Sequence, residues 1–284
     1  MTKLLQLVVT GISDGSAYAL VGIGLVIVFR TTNALNFAQG MYAVVAGLTT
    51  SVLATHMPVA LAAIVAIALA TVIGGVTGLV TIGIRGETTP LVSLIVTLGL
   101  TLVAESIELL VFGDGPRSFA PVASRAWSIH GVLVQPQYVL LVAVTLAVTV
   151  GLTVLLKRTI VGNALVAASD SLRAARLVGI ETVTFGAVAF GIAGLLGAVG
   201  GVLLTPIVPV TYDADLNIAV NGFAAAAFGG IVSVPGALAG GLVLGIAENL
   251  VVGYINPQYE LTIALLIMLA LIGWRARREV VAAA

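Results

Sequence analysis

Nine apolar runs, at roughly 5–29, 40–55, 59–84, 90–112, 138–156, 185–208, 217–233, 236–254 and 259–274, occupy most of this chain. A helix needs about 20 mainly apolar residues to cross a hydrocarbon core about 30 Å thick, because each residue rises only about 1.5 Å. The water-facing alternative fails on charge. Of 284 residues 60% are hydrophobic and 8% charged, whereas a soluble domain is about one-quarter charged. A soluble enzyme and a disordered scaffold are therefore excluded, and a net charge of zero offers no footprint for nucleic acid. There is no cysteine, and the two histidines, His56 and His130, lie far apart in sequence. The fold class expected is all-α: one polytopic membrane domain over 1–284 with eight or nine spans, some of them interrupted.

Positive charges set the expected orientation. With the loop at 157–184 in the cytoplasm, alternation places Arg30, Arg85, Lys157, Arg158, Arg173, Arg176, Arg275, Arg277 and Arg278 inside, against Lys3, Arg117 and Arg125 outside. The N terminus is then outside and the C terminus inside. The first run is too long for a signal peptide and has no small-residue cleavage site before Arg30, so it reads as a retained span. Gly11/Gly15, Gly74/Gly78, Gly197/Gly201, Gly236/Gly240 and Gly241/Gly245 are spaced by four, which lets helix backbones approach closely where lipid gives no hydrophobic drive between helices.

Two stretches break the pattern. Arg30–Gly40 carries Asn33, Asn36 and Gln39, and Phe228–Ala237 carries Gly229, Gly230, Ser233 and Pro235. Each is either a short capped turn or backbone interrupted at membrane depth, which protein or a wet cavity must satisfy. Paired interruptions point to a transport site. Asp14, Glu105, Glu108 and Glu248 are ionisable residues within or at the ends of spans; each is either a helix–helix contact or part of a pathway. Glu105 and Glu108 share a helix face. The 157–184 loop holds a short amphipathic helix over 171–178, capped by Ser169 or Asp170 and stopped by Gly179. Such a helix lies on anionic lipid or docks into a groove on a partner protein.

That loop, ending in Ala174-Ala175-Arg176-Leu177-Val178-Gly179-Ile180, resembles the cytoplasmic coupling segment of permeases from bacterial branched-chain amino-acid ABC transporters, the H-type subunit. Tyr18–Leu25 with Leu35–Gly40, then Pro90–Leu100, then Phe228–Ala237 with Gly240–Glu248, are similar to further blocks of that family, in family order over nearly the whole chain. There are departures. The family often has His where Gln39 stands, Glu where Met41 stands and Gln where Glu105 stands. Arginines are usual where Asn163 and Val166 sit, and Gly273-Trp274-Arg275-Ala276-Arg277-Arg278 replaces the usual Arg-Pro ending.

The resemblance implies an ABC importer permease fold in a bacterial inner membrane. It also implies two cytoplasmic ATP-binding subunits, a second similar permease and a periplasmic or lipid-anchored binding protein. The chain holds no Gly-x-x-x-x-Gly-Lys-Ser/Thr motif, so ATP belongs to partners and no cofactor is expected here. The resemblance further implies that Asp170, Arg173, Ala174, Ala175, Arg176, Leu177, Gly179 and Ile180 seat on an ATPase. The pathway residues expected are Asn36, Gln39, Glu105 and Glu248, with Asn33 and Asn249 beside them. Relatives also carry urea and short amides, so the cargo stays open between these and branched-chain amino acids. The competing readings are a stand-alone secondary transporter coupled through Glu105, Glu108 and Glu248, and an intramembrane enzyme, for which no His-Glu-x-x-His motif exists.

Overall fold

The structure, a computed structural model, describes residues 2–83, 89–123, 125–129, 131–159, 182–259, 261–270 and 273. The coupling residues Asp170–Ile180 lie outside the described residues. The chain forms α1 (Thr2–Thr32), α2 (Gln39–Leu53), α3 (Val59–Ile82), α4 (Pro90–Phe112), a hairpin β1 (Trp127–Ile129) and β2 (Val132–Val134), then α5 (Pro136–Arg158), α6 (Thr182–Leu204), α7 (Asp215–Phe228) and α8 (Val234–Tyr254). A last apolar helical segment covers Pro257–Ala270. Among the described residues six helices, α1, α3, α4, α5, α6 and α8, are long and apolar enough to cross a membrane. Three more segments are shorter, so among the described residues the eight or nine expected spans correspond to six helices of crossing length and three shorter ones.

Burial ranks the helices. In its most apolar stretch α1 is 83% buried, α6 61%, and α4 and α5 only 17% each. The central helix is thus α1, and its composition explains why. Gly11, Gly15, Ala17, Ala19, Gly22 and Gly24 leave a thin surface against which other backbones lie. A Cβ on Gly11 would come within 2.7 Å of the Gly245 carbonyl oxygen, and Gly15 meets Gly241 in the same way. That order of contacts makes α1 and α8 antiparallel. Gly74 and Gly78 of α3 pack on 187–194 of α6, also antiparallel, and Gly197 and Gly201 of α6 pack on Gln39–Ala43 of α2, parallel. The spacings read as small-residue contacts in the sequence are therefore helix crossings here. α3, α4 and α5 present long aliphatic side chains outward, Ile64, Ile95 and Leu110 among them, as a lipid-facing ring requires.

One end of the bundle gathers the start of α1, the hairpin and the end of α8. Lys3 Nζ donates to the Gly253 carbonyl at 2.6 Å, and the Gln6 side chain brackets Leu133, donating to its carbonyl and accepting from its N–H. At the same end Arg117 and Val210 exchange two main-chain hydrogen bonds, each 2.9 Å. The opposite end joins Thr32, Ile82 and Gly186.

Candidate functional site: an interrupted helix pair beneath a cavity

α1 ends because Asn33 takes the left-handed region at φ 53°, which asparagine tolerates better than most residues. Its N–H still closes the last turn on the Phe29 carbonyl at 2.8 Å, and the side chain is exposed. From there the chain doubles back. The Gln39 side chain lies against Gly24, where a Cβ would collide with its amide. Eight residues separate Gly24 from the end of α1, so α2 starts about 12 Å inside the bundle. Residues 33–38 cross that depth without a helix.

Non-helical backbone can exist there only if something pairs its polar groups, and α4 does so. Ser93, Thr97 and Thr101 stand one above another at i, i+4 and i+8. Ser93 Oγ accepts the Leu35 N–H at 2.9 Å, and Thr97 Oγ1 accepts the Phe37 N–H at 3.0 Å. Thr101 Oγ1 sits 3.5 Å from the Phe37 carbonyl. Two residues of extended chain advance about as far as four of helix, so the two repeats stay in register. Asn36 and Gln39, both fully buried, close the layer. Asn36 Nδ2 donates to Gln39 Oε1 at 3.2 Å, and Gln39 Nε2 donates to the Ala193 carbonyl of α6 at 2.7 Å. Phe37 stacks on Phe223 of α7 with ring centres 5.4 Å apart. The first interruption is thus a buried, extended segment, not a surface turn.

The second interruption is tighter. α7 ends at Phe228, Gly230 and Ile231 take φ of 73° and 62°, and α8 begins at Val234. Ser233 caps it, its Oγ accepting the Gly236 N–H at 3.1 Å. Counting back seven residues from the Gly241–Gly15 crossing puts this start roughly level with residue 22 of α1. The N-terminal ends of α2 and α8, each carrying partial positive charge, therefore open at the same depth.

Above this layer lies a cavity of about 380 Å³. Its walls include Asp14 and Tyr18 of α1, Ala43 of α2, Gly201 of α6 with Thr205 just beyond that helix, and Asn217 and Asn221 of α7, with a rim from Val208, Pro209, Val210, Pro257, Gln258 and Leu261. Ala43 and Gly201 are one helical turn beyond Gln39 and Gly197, so the cavity lies about one turn from the Asn36–Gln39 layer.

The six expected pathway residues do not converge. Asn36 and Gln39 form the layer. Asn33 terminates α1. Asn249 donates from Nδ2 to Asp14 Oδ2 at 2.8 Å, behind the cavity wall. Glu248 is buried in α8, 2% exposed. Glu105 is half-buried on α4, while Glu108 one turn on is 2% exposed and approaches Asp215 at the start of α7. Sequence reasoning passed over Thr205, Asp215, Asn217 and Asn221. Asn217 and Asn221, at i and i+4 in an otherwise alanine-rich helix, were the available signal. Among the described residues no group of acidic or histidine side chains is arranged to hold a metal.

The comparisons with known proteins bear directly on what such an arrangement does. Residues 7–272 match the family described as branched-chain amino acid transport system / permease component. The chain belongs to this family. It is 28% identical over 286 aligned positions to the high-affinity branched-chain amino acid transport system permease protein LivH of Escherichia coli K12, covering 94% of this chain and 93% of that one. It is 28% identical to BraD of Pseudomonas aeruginosa, covering 92% and 90%, and 28% identical to a probable LivH of Methanocaldococcus jannaschii, covering 88% and 84%. No solved structure matches. Membership makes the chain a permease component of a transport system, in a multi-pass membrane protein, and sets aside the intramembrane enzyme.

Proposed function

We propose that this chain forms one half of the translocation pathway of an ATP-driven importer for branched-chain or related small amino acids. Two cytoplasmic ATPases, a second permease of the same type and a periplasmic or lipid-anchored binding protein complete the assembly. The N terminus and the cavity face outward, and the C terminus and the 157–184 loop face the cytoplasm. The observation that carries the reading is the cavity lying one helical turn above the hydrogen-bonded Asn36–Gln39 layer, which we read as its gate. A solute delivered from outside rests in the cavity and passes when the layer parts. The N-terminal ends of α2 and α8 then meet its carboxylate. ATP-driven closure of the ATPases moves the loop around Asp170–Ile180, and the motion is useful only if that loop binds differently in the two states. Residues Glu105, Glu248 and Asn249 line the route in other states of the cycle.

Reconstitution tests this. The chain with its ATPases and second permease in proteoliposomes should take up labelled leucine only with ATP and with the binding protein present. Replacing Gly179 by valine should leave ATP hydrolysis running while uptake falls. Full uptake by this chain alone, driven by a sodium or proton gradient, would establish the secondary transporter instead. The buried carboxylates of Glu108 and Asp215, which have no hydrogen-bond partner among the described residues, are the observation that favours that alternative.

A further inference from the structure

We propose that the turn between α7 and α8, residues 229–233, faces a water-filled part of the solute's route and not the lipid. This rests on the import reading and adds where the route continues beyond the cavity. The main chain of the turn is only partly paired. The N–H groups of Gly229 and Ile231 donate to the Ala226 carbonyl at 3.1 and 2.9 Å, and that of Gly230 to the Ala227 carbonyl at 2.9 Å. The carbonyls of Gly229, Gly230, Ile231 and Val232 and the N–H groups of Val232 and Ser233 have no hydrogen-bond partner among the described residues. The first interruption differs, since Ser93 and Thr97 meet the N–H groups of Leu35 and Phe37. Nor is the turn shielded. Val232 is 47% exposed, and Phe228 and Pro235 on either side of it are exposed as well.

Depth makes this decisive. α8 starts roughly level with residue 22 of α1, ten residues and so about 15 Å short of the end of that helix at Thr32. Lipid-facing side chains continue past that level. Val80 of α3 is exposed only two residues before Ile82, which meets Thr32 at Gly186. Free main-chain groups at such a depth are not tolerated against hydrocarbon and need either protein or water. A partner's transmembrane helix has its own main-chain groups engaged and brings only side chains, whereas water serves carbonyls and N–H groups alike. The direction of α7 ties that water to the route. Asn217 and Asn221 line the cavity with Asp14 and Tyr18, and Gly222 packs on Val21 and Gly22, so α7 runs the same way as α1. From Asn221 to its end at Phe228 it advances seven residues, about 10 Å. A solute that leaves the cavity along α7 therefore arrives at the turn, where apolar Phe228, Val232 and Pro235 stand beside hydrated main chain.

The chain has no cysteine, so one introduced thiol reports on its own surroundings. Val232→Cys is compared with Val72→Cys in the assembled transporter in proteoliposomes. Val72 is a 64% exposed residue of α3, ten positions before Ile82 and so at the matching depth on the lipid face. The probe is sulfonatoethyl methanethiosulfonate, a charged reagent that modifies hydrated thiols, added to both faces. Val232→Cys should react at least tenfold faster than Val72→Cys. Its modification should cut ATP-dependent leucine uptake at least fivefold, against an assembly with the unsubstituted chain treated alike. Equal rates overturn the assignment, because the turn is then no more hydrated than a lipid-facing helix. Fast modification with unchanged uptake overturns it too, since that water is then off the route. Hydrogen–deuterium exchange of the unsubstituted assembly in nanodiscs covers the case in which Val232→Cys does not assemble. The amides of Val232 and Ser233 should exchange within seconds and those of Leu35 and Phe37 should not; protection of all four overturns the proposal. Failure of the import reading looks different: the unsubstituted assembly then shows no ATP-dependent leucine uptake, whatever the thiol rates.

Discussion

The side-chain amide of Gln39 donates to the main-chain carbonyl of Ala193 at 2.7 Å across the middle of the bundle, in space left open by Gly24. One residue thereby joins α1, α2 and α6 at the depth where the backbone is not helical. Gly24→Ala would push a methyl into the amide, and Gln39→Ala would open a hole. Either substitution alone should lower the melting temperature of the complex by several degrees. In the double variant the methyl introduced on α1 fills part of the space that the glutamine side chain vacated. The combined loss should then fall short of the sum by roughly 0.5–3 kcal/mol, the usual coupling of residues in contact. Simple additivity in thermal unfolding would show that the two side chains do not share this space.

Thr97 gives a second test. Its hydroxyl accepts the buried Phe37 N–H, and its own hydrogen returns to the Ser93 carbonyl at 2.8 Å. Thr97→Val keeps the shape and removes the acceptor, so a main-chain donor is stranded away from water at a cost of about 1–3 kcal/mol. Thr97→Ser should retain wild-type stability and uptake, whereas Thr97→Val should unfold several degrees lower and transport poorly. Identical melting of the two variants would remove the hydroxyl ladder from the account of how the interrupted segment is held.

The contrast between these two positions shows what a sequence can carry. The spans are legible because length and hydropathy decide them locally. The break at 30–40 is legible because asparagine and glycine interrupt an apolar pattern. Its depth is not, since that depends on Ser93, Thr97 and Thr101, about sixty positions away. Within their own helix those hydroxyls look like ordinary bonds back to the preceding turn, as Thr101 indeed makes to the Thr97 carbonyl at 2.9 Å. The run at 217–233 reads as a span by composition, yet α7 is a 14-residue helix packed on α1 through Gly22 and Gly222. The polar residues Asn217 and Asn221 become cavity lining only through that packing. Asp14 is a span-end carboxylate until α8 brings Asn249 beside it.

Glycines at crossings should differ sharply from glycines on the lipid face. A Cβ on Gly245 would strike the backbone of Gly11 and Gly15, whereas one on Gly99 of α4 meets nothing within 4 Å among the described residues. Gly245→Leu is expected to prevent the α1–α8 approach and abolish assembly. Gly99→Ala should leave assembly and uptake intact and stabilise α4 by about 0.5–1 kcal/mol through reduced backbone freedom. Expression and size-exclusion profiles in detergent measure both, and a well-folded Gly245→Leu protein would contradict the antiparallel contact.

Glu108 and Asp215 invert the usual expectation for buried acids. They are 2% and 0% exposed, neither carboxylate has a hydrogen-bond partner among the described residues, and Asp215 also feels Glu105 and Asp213. The cation closest in sequence to Glu108, Arg117, caps the end of α4 instead, donating from Nε to the Phe112 carbonyl at 3.0 Å and from Nη2 to the same oxygen. Like charges gathered in a low-dielectric layer repel, and an unpaired buried charge is costly. Glu108→Gln should therefore raise the melting temperature of this chain by a few degrees under alkaline conditions, where both acids carry charge. Adding Asp215→Asn should give less than its separate gain, because the first substitution already removes their mutual repulsion. Thermal unfolding of the isolated chain and of the assembled transporter separates two cases. Stabilisation in both means the acids are held apart only by the fold. A gain in the isolated chain that turns into a loss in the assembly means a partner subunit brings a cation to Glu108, and the face of α4 that carries Glu105 is then where that subunit sits.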